Sequence, residues 1–427
     1  MIDQPEPGIP RGFATVAIGY ALVMACNFLL TTNPYAALHS GDAAKWAQAY
    51  STSWRLHAGM LMTFSLVCGV AAHGRRMSRW GAATVVAAAA LLVLSGSVNG
   101  AIQQFPATYF FMIFGYGAVV LLAYNDSRAR IAVDGRQAVS VMIAAYFLSV
   151  VLALVRPGVW GHELFGFSRA VRGEATFAVV LGLPLVLAPA YLALAGARSG
   201  AMRALVSVLA IVEVGNATRV HIWFMVVPFL LYALIKLGRG RDSLRLRRAF
   251  AYAFGFGIFG LVALGAIAST RLMTQADLAE FLTGRLSLWE WHWRVLLDHP
   301  WFGAGVFPLE RLGGYAGRAN TEIGLLAAFS QFGVGFGLLQ VLVVMRAVFR
   351  GFSGMLSGGV HGMWGFCALV VPTMLPVWLF GGGWRVLNAY EFVFWYSVAY
   401  VNLANRGIQM RYPDVPTVRL EDPGAKA

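Results

Sequence analysis

The sequence predicts an all-α polytopic membrane protein of about twelve transmembrane helices, with one large loop between spans nine and ten. Three observations predict it. Hydrophobic residues make up 59% of the chain and charged residues only 12%. The mean hydropathy is +0.66, and no ordinary polar surface can be built from such a composition. Apolar stretches long enough to cross a bilayer, which takes about 20 residues, recur near 12–30, 56–73, 81–97, 106–123, 138–155, 175–195, 202–214, 220–236, 249–269, 322–345, 360–380 and 387–404. The basic residues between them alternate in density, as the two sides of a membrane require.

The first span follows "MIDQPEPGIPR", which is acidic and proline-bearing, and no small-residue cleavage pattern closes it. It reads as its own insertion signal rather than a removable leader. Cys26, Cys68 and Cys367 all fall inside spans, where they read as small packed thiols rather than a disulfide framework. Placing the N-terminus in the cytoplasm puts Arg11, "GRRMSR", "NDSRARIAVDGR", "GARSGAMR", "KLGRGRDSLRLRR", "RAVFR" and the tail 405–427 inside. Together these hold 21 of the 33 Lys and Arg residues. Both termini are then cytoplasmic. The net charge of +14 is thereby a topology signal, aided by anionic lipid, and not a nucleic-acid footprint. No internal repeat or second soluble domain interrupts the pattern, so 1–427 reads as a single membrane domain.

By the same parity the longest hydrophilic segment, 270–321, faces outwards, with "SVNGAIQQFP", "RPGVWGHELFGFSRAVRGEA", "EVGNATR" and "GGGWR". Chemistry on that side has no ATP, so a bond made there needs an already activated substrate. Arginines such as Arg172, Arg219, Arg285, Arg294, Arg311 and Arg318 also fall there, where they are expected to be scarce. Some are accounted for by solvation or by pairing with Glu163, Glu290 or Asp298. Arg219 differs, because the short turn "EVGNATRVHIW" starts its side chain at the membrane edge. Burying Arg in hydrocarbon costs roughly 2.5–3.5 kcal/mol on insertion scales. It therefore either snorkels to headgroups or meets an anionic substrate group.

Within 270–321, "GRLSLWEWHWRVLLDHPWFGAGVF" predicts an amphipathic helix. Leu286, Trp289, Trp293, Leu296 and Leu297 share an apolar stripe, while Arg285 and His292 recur at heptad spacing on another face. "DHP" stops the helix, because proline disfavours helical geometry in His299 and cannot extend the hydrogen-bond ladder. The glycines of "GAGVF" permit a tight turn. A helix with tryptophan at the boundary of oil and water lies in the interface plane, where it can roof a cavity between spans and offer indole faces to a sugar.

This segment resembles the O-antigen ligase and Wzy-type O-antigen polymerase superfamily of bacterial envelope enzymes. The likeness lies in Gly-Arg, a tryptophan a few residues on, an aromatic and aliphatic helix, His-Pro and Gly-x-Gly. "IGLLAAFSQFGVGFGLL" is similar to the leucine-rich helix and glycine pair that follow, and "NATRV" occupies the place of a Ser-Arg or Thr-Arg turn. The resemblance covers roughly 214–339. It implies a GT-C type fold in the bacterial inner membrane, with the active site facing the periplasm. It also implies transfer of a glycan from an undecaprenyl-pyrophosphate donor to an acceptor sugar, without metal or other cofactor. Carried over, Arg219 and Arg285 bind the pyrophosphate. A guanidinium fork meets two oxygens of a leaving group whose charge grows in the transition state.

The chain departs from the ligase pattern at one point. Ligases carry a loop histidine just before span ten, whereas this stretch reads "GYAGRANTEIGLL". Counting from Gly333 puts Glu322 at that position, and matching the asparagine puts Ala319 there. The leading expectation is therefore a polysaccharide polymerase extending a lipid-linked glycan. A ligase transferring the glycan to lipid A-core comes second. A twelve-span transporter comes third, because the long inward central loop and related halves of that architecture are missing. For the acceptor proton the candidates are Glu322 at the outer mouth of span ten, Glu174 beside Arg172, and His292 or His162. Glu322 ranks first, although pairing with Arg318 four residues earlier would also explain it.

Overall fold

A computed structural model describes residues 77–128, 285–306, 324–358, 362–380 and 389–404, together with Val70. The described residues form helices and no strand. In chain order these are α1 (Arg79–Val98), the single turn α2 (Ala101–Gln104), α3 (Pro106–Arg128), α4 (Arg285–Asp298), α5 (Gly324–Gly358), α6 (Gly362–Phe380) and α7 (Ala389–Leu403). Three segments, Arg79–Val98, Pro106–Arg128 and Gly324–Met355, are long and apolar enough to cross a membrane. Five of the expected spans thus coincide with helices, and the other seven lie outside the described residues.

Local sequence explains where the helices begin and end. Ser78 caps α1, its Oγ accepting from the Gly81 amide at 2.9 Å. At the far end Asn99 folds back, its Nδ2 donating to Ser95 O at 2.9 Å, and Gly100 takes a positive φ of 65°. Pro106 opens α3, the position where its missing N–H costs nothing. α4 runs to Asp298 and ends at His299-Pro300, as "DHP" predicts.

α5 is the hub of the described bundle, packing on α1, α4, α6 and α7, while α3 packs on α1 and α7. Small residues let helices approach closely, as they do where lipid supplies no hydrophobic drive between them. Gly96 of α1 lies under the Tyr109 ring, where an added Cβ would come within 2.8 Å. Aromatic rings fill the centre, among them Tyr109, Phe332, Phe336, Phe366, Trp378, Phe392 and Tyr396, all essentially inaccessible. Cys367 is a buried free thiol, as expected for a packed span residue.

Several polar side chains inside the bundle are bonded across helices. Gln340 Nε2 donates to Tyr116 Oη at 2.8 Å, and Trp378 Nε1 donates to Gln340 Oε1 at 3.4 Å. The Tyr396 hydroxyl donates to the buried Asp126 carboxylate. Near one end of the bundle, Arg350 donates to Asn402 O at 2.7 Å and Ala404 O at 2.9 Å, occupying carbonyls that α7 leaves open at its C-terminus. Arg346 lies over the Trp80 ring at 4.3 Å, and Arg128 lies over Tyr124 at 4.9 Å. The arginines of this end are those that parity assigned to the inward side. Tyr116→Phe should cost about 0.6 kcal/mol and no more than ~1.7, the range measured for interhelical hydrogen bonds in membranes. Unfolding in mixed micelles checks this; a larger loss would mean that Gln340 has no substitute partner.

Candidate functional site

At the opposite end of the bundle the backbone of α5 breaks. Gly333 has φ 84° and ψ 174° inside an otherwise helical segment, a combination open essentially to glycine alone. A continuous helix would bond the Val334 amide to the Ser330 carbonyl. Here Val334 N donates instead to Pro300 O at 2.8 Å, and the freed Ser330 carbonyl accepts from Ala304 N at 2.9 Å. Gln331 O accepts from Gly305 N at 2.9 Å. The turn after α4 has thus taken over bonds of the broken helix.

α1 closes the arrangement from the other side. Ser95 Oγ stands 2.5 Å from Phe302 O and 3.1 Å from Gln331 O, so one buried hydroxyl, with a single proton to donate, sits between carbonyls of both segments. Asn99 Nδ2 spends its second proton on Gly303 O at 2.8 Å. The approach is close enough to need glycine on both partners. A Cβ on Gly303, whose φ is 64°, would lie 2.2 Å from the Gln331 carbonyl carbon, and one on Gly333 would lie 2.0 Å from Trp301 O. Tyr109, Phe332 and Phe336 pack edge to face beneath this junction. Gln331 Oε1 is buried with no hydrogen-bond partner among the described residues, leaving an acceptor inside it.

His292 belongs to the same assembly. Its Nδ1 lies 2.6 Å from Ser330 Oγ, which is itself 3.3 Å from Ala327 O, and the ring is 2% exposed. The hydroxyl has one proton. If it goes to Ala327, Nδ1 must carry the proton given to Ser330; otherwise Nδ1 accepts. The imidazole fastens α4 to α5, next to the break.

Two residues of the apolar stripe of α4 are exposed, and the deepest residue comes from its other face. Trp293 is 54% exposed and Leu297 63%, whereas His292 is buried. The bundle offers a polar partner, Ser330, and the imidazole takes it. Glu290 and Arg294 pair with each other at 2.5 Å on the exposed side, the solvated pairing expected of Arg294. Arg285 opens α4 and Trp289 follows four residues later, so both ride on the helix that His292 and the turn hold in place. Glu322, Glu174, Arg219, Arg172 and His162 lie outside the described residues. Ser95, Asn99, Gln331 and Gly333 are absent from the sequence-based candidates.

No protein-family model and no curated protein matches the chain.

Among the described residues no three His, Cys, Asp or Glu side chains gather in a way that could hold a metal ion. What the arrangement offers is a rigid platform at one end of the bundle. An amphipathic helix carrying Arg285 is held there against α5, and the turn that follows it is held against α1 and α5.

Gly303→Ala and Gly333→Ala should each destabilise the protein by about 3 kcal/mol or more, because the strain of a positive φ, roughly 1–3 kcal/mol, adds to a backbone clash. Gly117→Ala, whose Cβ would meet nothing nearer than 3.7 Å, should be neutral or slightly stabilising. Thermal unfolding of all three in the same detergent checks this; equal midpoints would mean that the junction gives way at little cost.

Proposed function

We propose that the protein is a twelve-span inner-membrane glycosyltransferase of GT-C type. In this reading it acts at the periplasmic face on undecaprenyl-pyrophosphate-linked glycans and polymerises an O-antigen or exopolysaccharide. One observation carries the reading. Two of the three stretches on which the family resemblance rests, the segment from Arg285 to Val306 and the start of α5, are far from each other in kind, one polar and one apolar. Yet they interlock through three backbone hydrogen bonds at His-Pro, Gly-x-Gly and the α5 glycine. A motif whose parts hold one another has a structural reason to recur together. The gathering of Arg346, Arg350 and Arg128 toward the other end supports the orientation with that end inside.

In the proposed reaction the acceptor hydroxyl oxygen attacks the anomeric carbon of the donor glycan. The bond from that carbon to the pyrophosphate oxygen breaks, and its electron pair leaves with undecaprenyl pyrophosphate. Arg285 and Arg219 meet the growing negative charge with fixed forks, the task a divalent ion performs elsewhere. The acceptor proton goes to a carboxylate, Glu322 first and Glu174 second, with Arg172 beside the latter. His292 stays behind the carboxylates as a candidate base, and its bond to Ser330 positions α4.

Arg285→Ala and Arg219→Ala should each cut turnover about 10²-fold or more, the scale for one preorganised donor, and Lys should restore it only in part, since ammonium lacks the fork. The measurement is product analysis with purified protein, a lipid-linked donor, and both lipid-linked and lipid A-core acceptors. Chain growth on the lipid-linked acceptor supports the polymerase. Transfer to lipid A-core alone would make the protein a ligase, and full activity of both alanine variants would remove the pyrophosphate site. Glu322→Gln should lower turnover by ~10²–10⁴-fold with donor binding kept if it is the base, and hardly at all if it merely pairs with Arg318.

A further inference from the structure

α4 divides its circumference in three. His292 faces α5 and is buried, and Trp291, Val295 and Leu296 flank it, half-covered. Glu290, Arg294, Asp298 and His299 are exposed and polar. Between these lies a third strip, Trp293 and Leu297, exposed and apolar. The turn that follows carries the strip on through Trp301, 75% exposed, and Phe302. Four large apolar side chains in a row make an unusual surface to leave in water.

Their depth can be read from the helices they touch. α1 has 20 residues, about 30 Å at 1.5 Å per residue, which is the thickness of a bilayer core. Trp80 and Arg346 meet near one end of it, and Ser95 meets Gln331 and Phe302 fifteen residues further on. Ser95 precedes the last residue of α1 by three, so the Phe302 carbonyl lies about 5 Å inside the end of the span. Beside Ser97, the exposed residues of α1 near that level, Leu94 and Val98, are apolar, as are Leu338 and Leu342 further along α5. Irregular backbone at such depth is tolerated only where protein satisfies it. The contacts of Pro300 O, Phe302 O, Gly303 O, Ala304 N and Gly305 N with α1 and α5 supply such partners.

We propose that Pro300 to Gly305 forms a re-entrant wedge in the leaflet at this end of the bundle, and that the strip Trp293, Leu297, Trp301 and Phe302 contacts lipid acyl chains just beneath the headgroups. α4 then lies along the boundary, its bundle face on α5, its apolar strip in lipid and its Glu290–Arg294 edge in water, as an interfacial helix does. The indole of Trp293 is thereby assigned to the membrane and not to a sugar. None of this depends on the transferase reading.

The test places a spin label, one site at a time, at Leu297→Cys, Trp301→Cys and Phe302→Cys in a full-length, cysteine-free chain reconstituted in phospholipid vesicles. Leu342→Cys, exposed on α5, serves as the lipid-facing reference and Glu290→Cys as the water-facing one. The oxygen-to-nickel-chelate collision ratio at 301 and 302 should match that of 342 and exceed that of 290 by about threefold or more, in keeping with an apolar face sunk below the headgroups. A ratio equal to that of 290 would put the loop above the membrane and overturn the proposal. Low collision rates with both reagents would show protein covering the strip, a second copy or another segment, and would overturn it equally. A second measurement keeps the native cysteines. The emission lost in Trp301→Phe should be quenched by lipids brominated near the headgroup end of the chain, and not by aqueous acrylamide; the reverse pattern refutes the wedge.

Discussion

Within hydrocarbon a backbone amide or carbonyl without a partner costs several kcal/mol, and this cost governs the described part of the molecule. A helix satisfies it by itself. α5 does not, because at Gly333 it gives up its own ladder, and the structure around it is arranged to replace what was lost. The turn after α4 supplies Pro300 O, Ala304 N and Gly305 N; α1 supplies Ser95 and Asn99 to the turn. Removing any one partner leaves another orphaned, so the three elements behave as one piece.

Much of the fold was legible because hydropathy responds to length and composition alone. The expected span 81–97 became Arg79–Val98, 360–380 became Gly362–Phe380 and 387–404 became Ala389–Leu403. The stop at His299-Pro300 was legible too, because proline acts on its own neighbours. The break in α5 was not. "SQFGVGFG" offers three glycines inside an apolar run, and nothing local says which will leave the helix. That choice is made by Trp301 and Phe302, thirty residues earlier, whose backbone lies where a Cβ on Gly333 would go.

The site divided along the same line. Residue types suited to the proposed chemistry, arginine, carboxylate and tryptophan, could be picked from the sequence as candidates, while those that hold the platform could not. Ser95 reads as one small residue among several in "LSGSVNG", yet it is fully buried and lies between two other segments of the chain. His292 shares a helical face with Arg285, so it was grouped with the chemistry. Its partner Ser330, within an apolar span, gave no sign that a polar socket awaited it. Gln331 and Gln340 carried a usable signal, since an amide inside a span has to be accommodated by protein. Gln340 finds Tyr116 and Trp378, whereas Gln331 spends its backbone carbonyl on the junction.

The register of the junction bears on how such a chain can change over generations. Pro300, Ala304 and Gly305 are matched one to one with Val334, Ser330 and Gln331, with Gly303 fixed between them. A substitution at an exposed position such as Trp301 leaves that matching intact. The gain or loss of a single residue between Pro300 and Gly305 shifts every pair at once and moves a side chain into space that only glycine fits. Descendants of this sequence are thus free to vary in letters here but not in length, and the spacing from the proline to the second glycine should outlast the identity of the residues between them.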